Sequence, residues 1–236
     1  FQKKKKFNTP IIIMAGGLGL RLGSLTKNCP KPMLPINGKP ILEHIINKLK
    51  LNGFQNIYIS VNYLKNQIVD YFENGDNFGV KISYIYEKKP LGTAGSLKKL
   101  EGKIKTKDFI VLNGDILSSV DISKLLNFHK KNQSFATMAI RNYEIQNKYG
   151  VVIMNGMEIT KFVEKPTIKN YINAGVYVLN KEILNYKEKN KKIDMPKLFL
   201  LAKKKKKLIS ACPVYENWAD IGSNEDYFEV IKADSN

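Results

Sequence analysis

A chain of 236 residues, 43% hydrophobic and 25% charged, has room for one large α/β domain and the balance of an ordinary globular protein. No apolar run approaches the roughly 18 residues of a membrane span. The leading FQKKKKFNTP runs into no signal-peptide core, so no membrane insertion is expected and the setting reads as cytoplasmic. The net charge of +18 suits a polyanionic ligand, yet Arg21 and Arg141 are the only arginines, which argues against base-reading contacts to nucleic acid.

Residues 1–9 read as a basic linker following an upstream domain outside this chain, and residues 10–236 as a single domain. Ile11–Ala15 is a continuous apolar run ending in glycines and predicts a buried strand. Pro40–Leu51 carries Ile41, Leu42, Ile45, Ile46 and Leu49 at helical spacing, with proline at its start and Gly53 just past its end. Asn56–Val61 reads as a strand, Leu64–Phe72 as an amphipathic helix and Val80–Tyr86 as an alternating strand. The rhythm continues with a helix near Thr93–Leu100, a buried strand Phe109–Leu112 and a helix near Ile122–Lys131. Strands follow at Phe135–Ile140, Gly150–Met154, Glu158–Phe162 and Ile172–Leu179. Helices near Met195–Leu201 and Asn224–Ile231 then flank a strand at Lys207–Val214. Strands alternating with helices predict an α/β, Rossmann-like three-layer domain with a mixed, mostly parallel central sheet.

Ligands of such sheets sit at the carboxyl ends of the strands. Ile11–Ala15 delivers Gly16, Gly17 and Gly19 there, where bare backbone can approach a ligand and offer N–H groups to phosphate oxygens. Two familiar templates fail. Leu22 stands where G-x-G-x-x-G needs glycine, and Gly38-Lys39 is followed by Pro40 instead of the Ser or Thr of a Walker loop. Arg21 offers a planar fork to a triphosphate, and Lys31 is fenced by Pro30 and Pro32, which hold a point charge in one place. A tight basic turn would use the same residues. Asp115 ends the apolar strand FIVLNGD, and Asp220 sits in NWADIGS. Both suit Mg2+, which takes one or two carboxylates plus substrate phosphates, and both equally suit a cap before a turn or helix.

The pattern A-G-G-x-G-x-R-L…L-T…P-K-P-M-L-P-I resembles the sugar-1-phosphate nucleotidyltransferases, or nucleoside-diphosphate-sugar pyrophosphorylases. Further motifs extend the resemblance from Ile11 to about Tyr227. It implies that residues 10–236 are a nucleotidyltransferase catalytic domain. Ala15, Gly16, Gly17, Gly19 and Arg21 would grip the nucleoside triphosphate, and Lys31 would contact the reacting phosphates. N-G-D at Asp115 and W-x-D-I-G at Asp220 are similar to the family's two metal-binding aspartate motifs, which implies Mg2+. The segment from Tyr86 to Gly95 resembles the part that reads the base, placing Glu87, Gly92 and Thr93 against the nucleotide. A carboxylate at Glu87 can accept guanine's adjacent N1–H and 2-amino donors. L-G-T-A-G also looks like the guanylyl-transferring branch, so GTP is favoured over UTP or dTTP. A surface charge at the end of a strand is the alternative for Glu87. On the sugar-phosphate side, Tyr149-Gly150 is similar to a Y-G-V element. Glu164-Lys165-Pro166 is similar to E-K-P, with Glu164 on sugar hydroxyls and Lys165 on the sugar phosphate. Asn173 opens an N-A-G element as a further hydroxyl partner.

The implied reaction is attack by the sugar-phosphate oxygen on the α-phosphorus of the triphosphate, releasing pyrophosphate. Arg21, Lys31, Asp115 and Lys165 form the implied catalytic set. A sugar phosphate is already ionised, so no general base is needed, and His44 and His129 read as structural. The expected sugar is mannose 1-phosphate or glucosamine 1-phosphate. The second comes from a resemblance to bacterial enzymes with CBS domains upstream, one group of which makes GDP-glucosamine for legionaminic acid. That likeness implies a regulatory CBS-type domain before residue 1, and a homo-oligomer is a further partner expectation. A non-catalytic nucleotide-binding regulatory module is the rival. Cys29 and Cys212 form neither a C-x-x-C pair nor a zinc spacing and read as free thiols in a reducing cytosol.

Overall fold

The computed structural model describes residues 6–186 and 191–234. Strand β1 (Ile11–Met14) leads to the short pair β2 (Pro35–Ile36) and β3 (Lys39–Pro40), then helix α1 (Ile41–Leu51), β4 (Asn56–Val61) and α2 (Lys65–Phe72). Next come β5 (Lys81–Tyr86), the one-turn α3 (Gly92–Gly95), β6 (Asp108–Asn113), β7 (Ile116–Ser118) and α4 (Ile122–Lys131). The second half holds β8 (Ala136–Gln146), β9 (Val151–Asn155), β10 (Glu158–Val163) and β11 (Thr167–Asn180). It closes with α5 (Met195–Lys204), β12 (Ile209–Pro213), β13 (Trp218–Asp220) and α6 (Asn224–Asp234).

The main sheet has seven strands in the order β12-β8-β11-β6-β1-β4-β5. Within it β11 runs antiparallel to β6 and β8, and every other pair is parallel, so the expected mixed, mostly parallel sheet is present. Alternation along the strands makes two cores. Ile11 and Ile13 face one and Ile12 the other; β6 repeats this with Ile110 and Leu112 against Phe109 and Val111. Helices α1, α2 and α4 cover the first face, and α5 covers the second through Leu198, Phe199 and Ala202. Burying one such side chain contributes about 1.5–3 kcal/mol, and strands apolar on both faces are stable only between two helical layers.

Several boundaries differ from the sequence reading. The helix expected near Thr93–Leu100 is divided into α3 and a 3-10 segment, Ser96–Leu100; in the first turn of α3, where no intrahelical acceptor exists, Ala94 gives its N–H to Ile193 O (3.0 Å). Strands β8 and β11 run beyond the expected Ile140 and Ile172, since they go on pairing with each other as far as Gln146 and Thr167. The segment read as linker is docked at its end. Phe7 stacks on Phe54 with ring centroids 4.6 Å apart, and Thr9 is buried; residues 1–5 lie outside the described residues. Both cysteines are free, and burial raises both thiol pKa values. His44 Nε2 lies 2.9 Å from Ile36 O, and His129 Nδ1 lies 2.8 Å from Thr137 Oγ1. Among the described residues no helix is long and apolar enough to cross a membrane.

Candidate active site

Strands β1 and β6 lie side by side and parallel, with Met14 in register with Asn113, so both chains turn away from the sheet at the same edge. From β1 the chain enters the glycine loop; from β6 it enters Gly114-Asp115. Gly19 adopts φ +65°, and a Cβ there would sit 2.9 Å from Thr26 Cγ2 and 3.3 Å from Lys31 Cβ. The loop therefore closes directly on the lysine turn, and only glycine permits it. Buried Thr26 secures it by donating Oγ1 to Gly19 O at 2.9 Å. Thr26 was no candidate site residue; its signal was the L-T inside the family pattern.

These turns enclose a cleft of about 540 Å3. Gly16, Gly17, Gly19 and Arg21 line it from the loop, Lys31 from the proline-fenced turn and Asp115 from the tip of β6. Glu87, Gly92 and Thr93 line it from the segment after β5. Ala15 is buried behind the loop, its N–H donated to Ser60 O at 2.9 Å. A second cavity of about 540 Å3 lies at the other end of the sheet beside Asp108 and His129, away from every motif residue.

Lys31 is only 8% exposed, and its Nζ lies 2.5 Å from Asp115 Oδ2. Asp220 reaches the same neighbourhood through β13, which pairs antiparallel with β7 so that Asp220 faces Ile116. Ile221 donates its N–H to Asp115 O at 3.2 Å. Burial, then the charge of Asp115, pushes the Asp220 carboxyl up, while Lys31 and Arg21 pull it down. The donors are two mutually repelling carboxylates, hard oxygen ligands at strand tips. Among the described residues no group of three or more His, Cys, Asp or Glu gathers to hold a metal. A cation here would complete its shell with phosphate oxygens and water, a habit of Mg2+, and the residues fit that ion.

Glu87 is buried, not a surface charge at a strand end. Its Oε1 accepts from Ser60 Oγ at 2.6 Å and its Oε2 from Leu91 N–H at 3.1 Å, which leaves further acceptor capacity on each oxygen. Thr93 is tied to a distant segment: its N–H donates to Asp194 Oδ1 at 3.0 Å, and its Oγ1 accepts from Met195 N–H at 2.8 Å. Gly92 sits at φ +75°, where a Cβ would lie 2.5 Å from Asp194 Oδ1. Lys192 and Asp194 also line the cleft, and no motif marked either.

The sugar-side candidates are not in the cleft lining. Tyr149, Gly150, Glu164 and Lys165 gather where β8 passes to β9 and β10 to β11. There Gly150 faces Glu164, whose Oε2 would be 3.0 Å from a Cβ at that position. Lys165 has φ +40°, and its Nζ is 4.0 Å from Glu164 Oε1. Asn173 lies closer to the cleft, donating Nδ2 to the Tyr177 hydroxyl at 2.7 Å. Burial pushes that hydroxyl up to about 12; the Asn173 bond opposes the shift and the Asp115 charge adds to it.

The nucleotidyl transferase family matches residues 11–236, and the chain belongs to that family. Within it the chain is an enzyme of the kind that transfers a nucleotidyl group to a sugar 1-phosphate. It is similar to the D-glycero-alpha-D-manno-heptose 1-phosphate guanylyltransferase of Campylobacter jejuni, 37% identical over 93% of this chain and 97% of that relative. It is also 33% identical to the UTP–glucose-1-phosphate uridylyltransferase of Synechocystis, over 94% of this chain but 62% of the relative. The crystal structure of HddC from Yersinia pseudotuberculosis complexed with GMP-PN matches with a TM-score of 0.74 and 31% identity. That match covers 95% of this chain and 99% of HddC.

Proposed function

We propose that the enzyme transfers GMP from GTP to a sugar 1-phosphate of the manno series, the manno-heptose 1-phosphate or mannose 1-phosphate, in the presence of Mg2+. The observation that carries the choice of base is Glu87. Its carboxylate is buried in the cleft, and guanine's N1–H and 2-amino groups would give it the donors it still lacks. Uracil or thymine would turn a carbonyl lone pair toward the same buried oxygens. A site built around a hydrogen bond rejects the analogue lacking it by as much as about 10⁴-fold. The similarity to a heptose 1-phosphate guanylyltransferase along nearly its whole length supports both substrates.

In this reading the loop N–H groups and Arg21 bind the triphosphate, with Gly92 and Thr93 at the base. Asp115 and Asp220 would hold Mg2+, which when bound neutralises phosphate charge. Lys31, 2.5 Å from Asp115 Oδ2, gains a second anion when the α-phosphate arrives. The ionised sugar-phosphate oxygen then attacks the α-phosphorus in line. The new O–P bond forms as the bond to the β-phosphate oxygen breaks, and pyrophosphate leaves with its negative charge. Lys31 and Arg21 stabilise charge throughout, and the transfer needs position and cations more than a base. Glu164 and Lys165 would bind the sugar phosphate.

The test is a matrix of GTP, UTP and dTTP against manno-heptose, mannose, glucosamine and glucose 1-phosphates with Mg2+, read by pyrophosphate release. GTP with a manno-configured sugar is expected to lead by about 10²-fold or more. Equal rates with UTP would overturn the choice of base, and no release anywhere would favour a binding module without catalysis.

A further inference from the structure

We propose that the cavity at the edge of the sheet opposite the catalytic cleft is a second binding site, for a small phosphate ester whose far end donates hydrogen bonds. This cavity of about 540 Å3 lies where β6 begins and α4 ends, with residues 6–9, just before β1, along one side. Its size is that of a small-ligand pocket. Asp108 opens β6 and Asp115 follows the far end of the same strand, about 20 Å away along extended chain. An occupant here therefore leaves the catalytic cleft free.

The floor of the cavity is polar and buried. Asp108 is 7% exposed and His129 1%, and Thr9 and Ser134 are buried beside them. The sheet fixes the Asp108 backbone, which pairs with Asn180 and whose carbonyl accepts from Thr106 Oγ1 at 2.8 Å. Its side chain has no such partner. Among the described residues nothing donates a hydrogen bond to Asp108 Oδ1, and His129 Nε2 stands 3.4 Å away. The other ring nitrogen of His129, Nδ1, is already engaged 2.8 Å from Thr137 Oγ1. Burying an acceptor without a donor costs stability, and a carboxylate costs more than a neutral group. A donor brought by a ligand removes that cost.

Charge at the rim sets the other end of the ligand. Lys6, Lys107 and Lys130 line the cavity and are exposed. Three cations against one carboxylate make the site positive, within a chain of net charge +18, which repels metal cations and polyamines and attracts an anion. A bare anion would meet the lysines and leave Asp108 without a donor. A neutral polyol would serve Asp108 and leave the lysines unused. A phosphate ester does both, with its phosphate at the rim and hydroxyl or amino donors on the Asp108 carboxylate at the floor. Sugar phosphates and adenine nucleotides share that chemistry.

Isothermal titration calorimetry with mannose 6-phosphate, AMP, inorganic phosphate and mannitol tests the site without reference to nucleotidyl transfer, and so apart from the proposed function. At least one of the two esters is expected to bind with a Kd between about 10 μM and 1 mM, and about tenfold or more tighter than phosphate or mannitol. The tighter ester identifies the donor end as sugar or base. Lys107→Gln/Lys130→Gln is expected to weaken that ester about tenfold or more, and Lys31→Met, in the cleft, to leave its binding unchanged. Asp108→Asn keeps the shape of the side chain. It is expected to weaken the ester about tenfold and leave phosphate unmoved. It is also expected to melt no lower than the wild type, because it removes a buried charge that lacks a donor. No binding of either ester at about 10 mM, or phosphate binding as tightly as the esters, would overturn the proposal. So would ester binding lost in Lys31→Met but kept in Lys107→Gln/Lys130→Gln. A melting temperature of Asp108→Asn well below wild type would make the carboxylate a structural partner of His129 and overturn it too.

Discussion

Replacing Lys31 with Met removes one charge and keeps most of the stem, so its effects can be worked from the geometry. The ammonium is buried, 2.5 Å from Asp115 Oδ2, and within the field of Asp220. A unit charge at such range is worth about 7 kcal/mol at an effective dielectric near 20, before the cost of desolvating both groups is subtracted. Removing one preorganised group that meets developing charge costs about 2.7–4 kcal/mol, or 10²–10³ in turnover. Desolvation offsets part of the gross attraction, and single-turnover pyrophosphate release is expected to fall by about 10²–10³. Stability falls less. The Asp115 side chain is 29% accessible, so water recovers part of what the lysine gave, and a loss of about 1–3 kcal/mol is expected. In the proposed function Lys31 and Mg2+ would compete for one carboxylate, so added Mg2+ is expected to raise the melting temperature of Lys31→Met more than that of the wild type. Turnover within about threefold of wild type would refute the charge-stabilising role. An equal Mg2+ shift in both proteins would refute the competition.

Glu87→Gln swaps one buried acceptor oxygen for a donor, and the GTP-to-UTP ratio of kcat/KM is expected to fall by about 10²-fold in a competition assay. Asp194→Ala frees the Thr93 N–H and loosens the base-side wall. The KM for GTP is expected to rise about fivefold to tenfold, with that for the sugar phosphate unmoved and with recovery in Asp194→Asn, which keeps the acceptor. Asp121 caps α4 by accepting from Ser123 N–H at 2.9 Å and Lys124 N–H at 3.1 Å, and Asp121→Ala is expected to cost about 1 kcal/mol in urea melts near neutral pH. Burial raises its pKa, but the bonds from Ser123 and Lys124 outweigh that and hold it below 3.8. A folded pKa below the unfolded one means the ionised cap stabilises fully above the unfolded pKa and loses its effect as the pH falls through the lowered folded pKa. Asp121→Asn removes this acid dependence; an unchanged acid limb in the variant would count against it.

Much of the sheet was legible because its cause is local. Ile11–Ala15 and Phe109–Leu112 are continuous apolar runs, and a strand with both faces covered needs no polar side. Glycines followed by a fenced lysine mark a tight loop for an equally local reason, since φ and side-chain bulk are set residue by residue. Glu87 showed the limit: its identity suggested a base reader, but a buried carboxylate and a surface charge look alike until Ser60 and Leu91 are seen to bind it. The alternation after Phe135 predicted strands correctly without showing that residues 141–173 leave the body, because period-two spacing tells which side chains share a face and says nothing of what faces them.

By itself, then, the sequence determined the two-sided strands, the glycine loop, the proline-held Lys31 and the strand-tip Asp115, all products of near neighbours. Tertiary structure alone decided that Lys31 meets Asp115 across 84 positions, that Asp194 braces Thr93 across 101, and that β13 carries Asp220 to β7. Pairings at that range depend on how helices and strands pack, which no local spacing encodes.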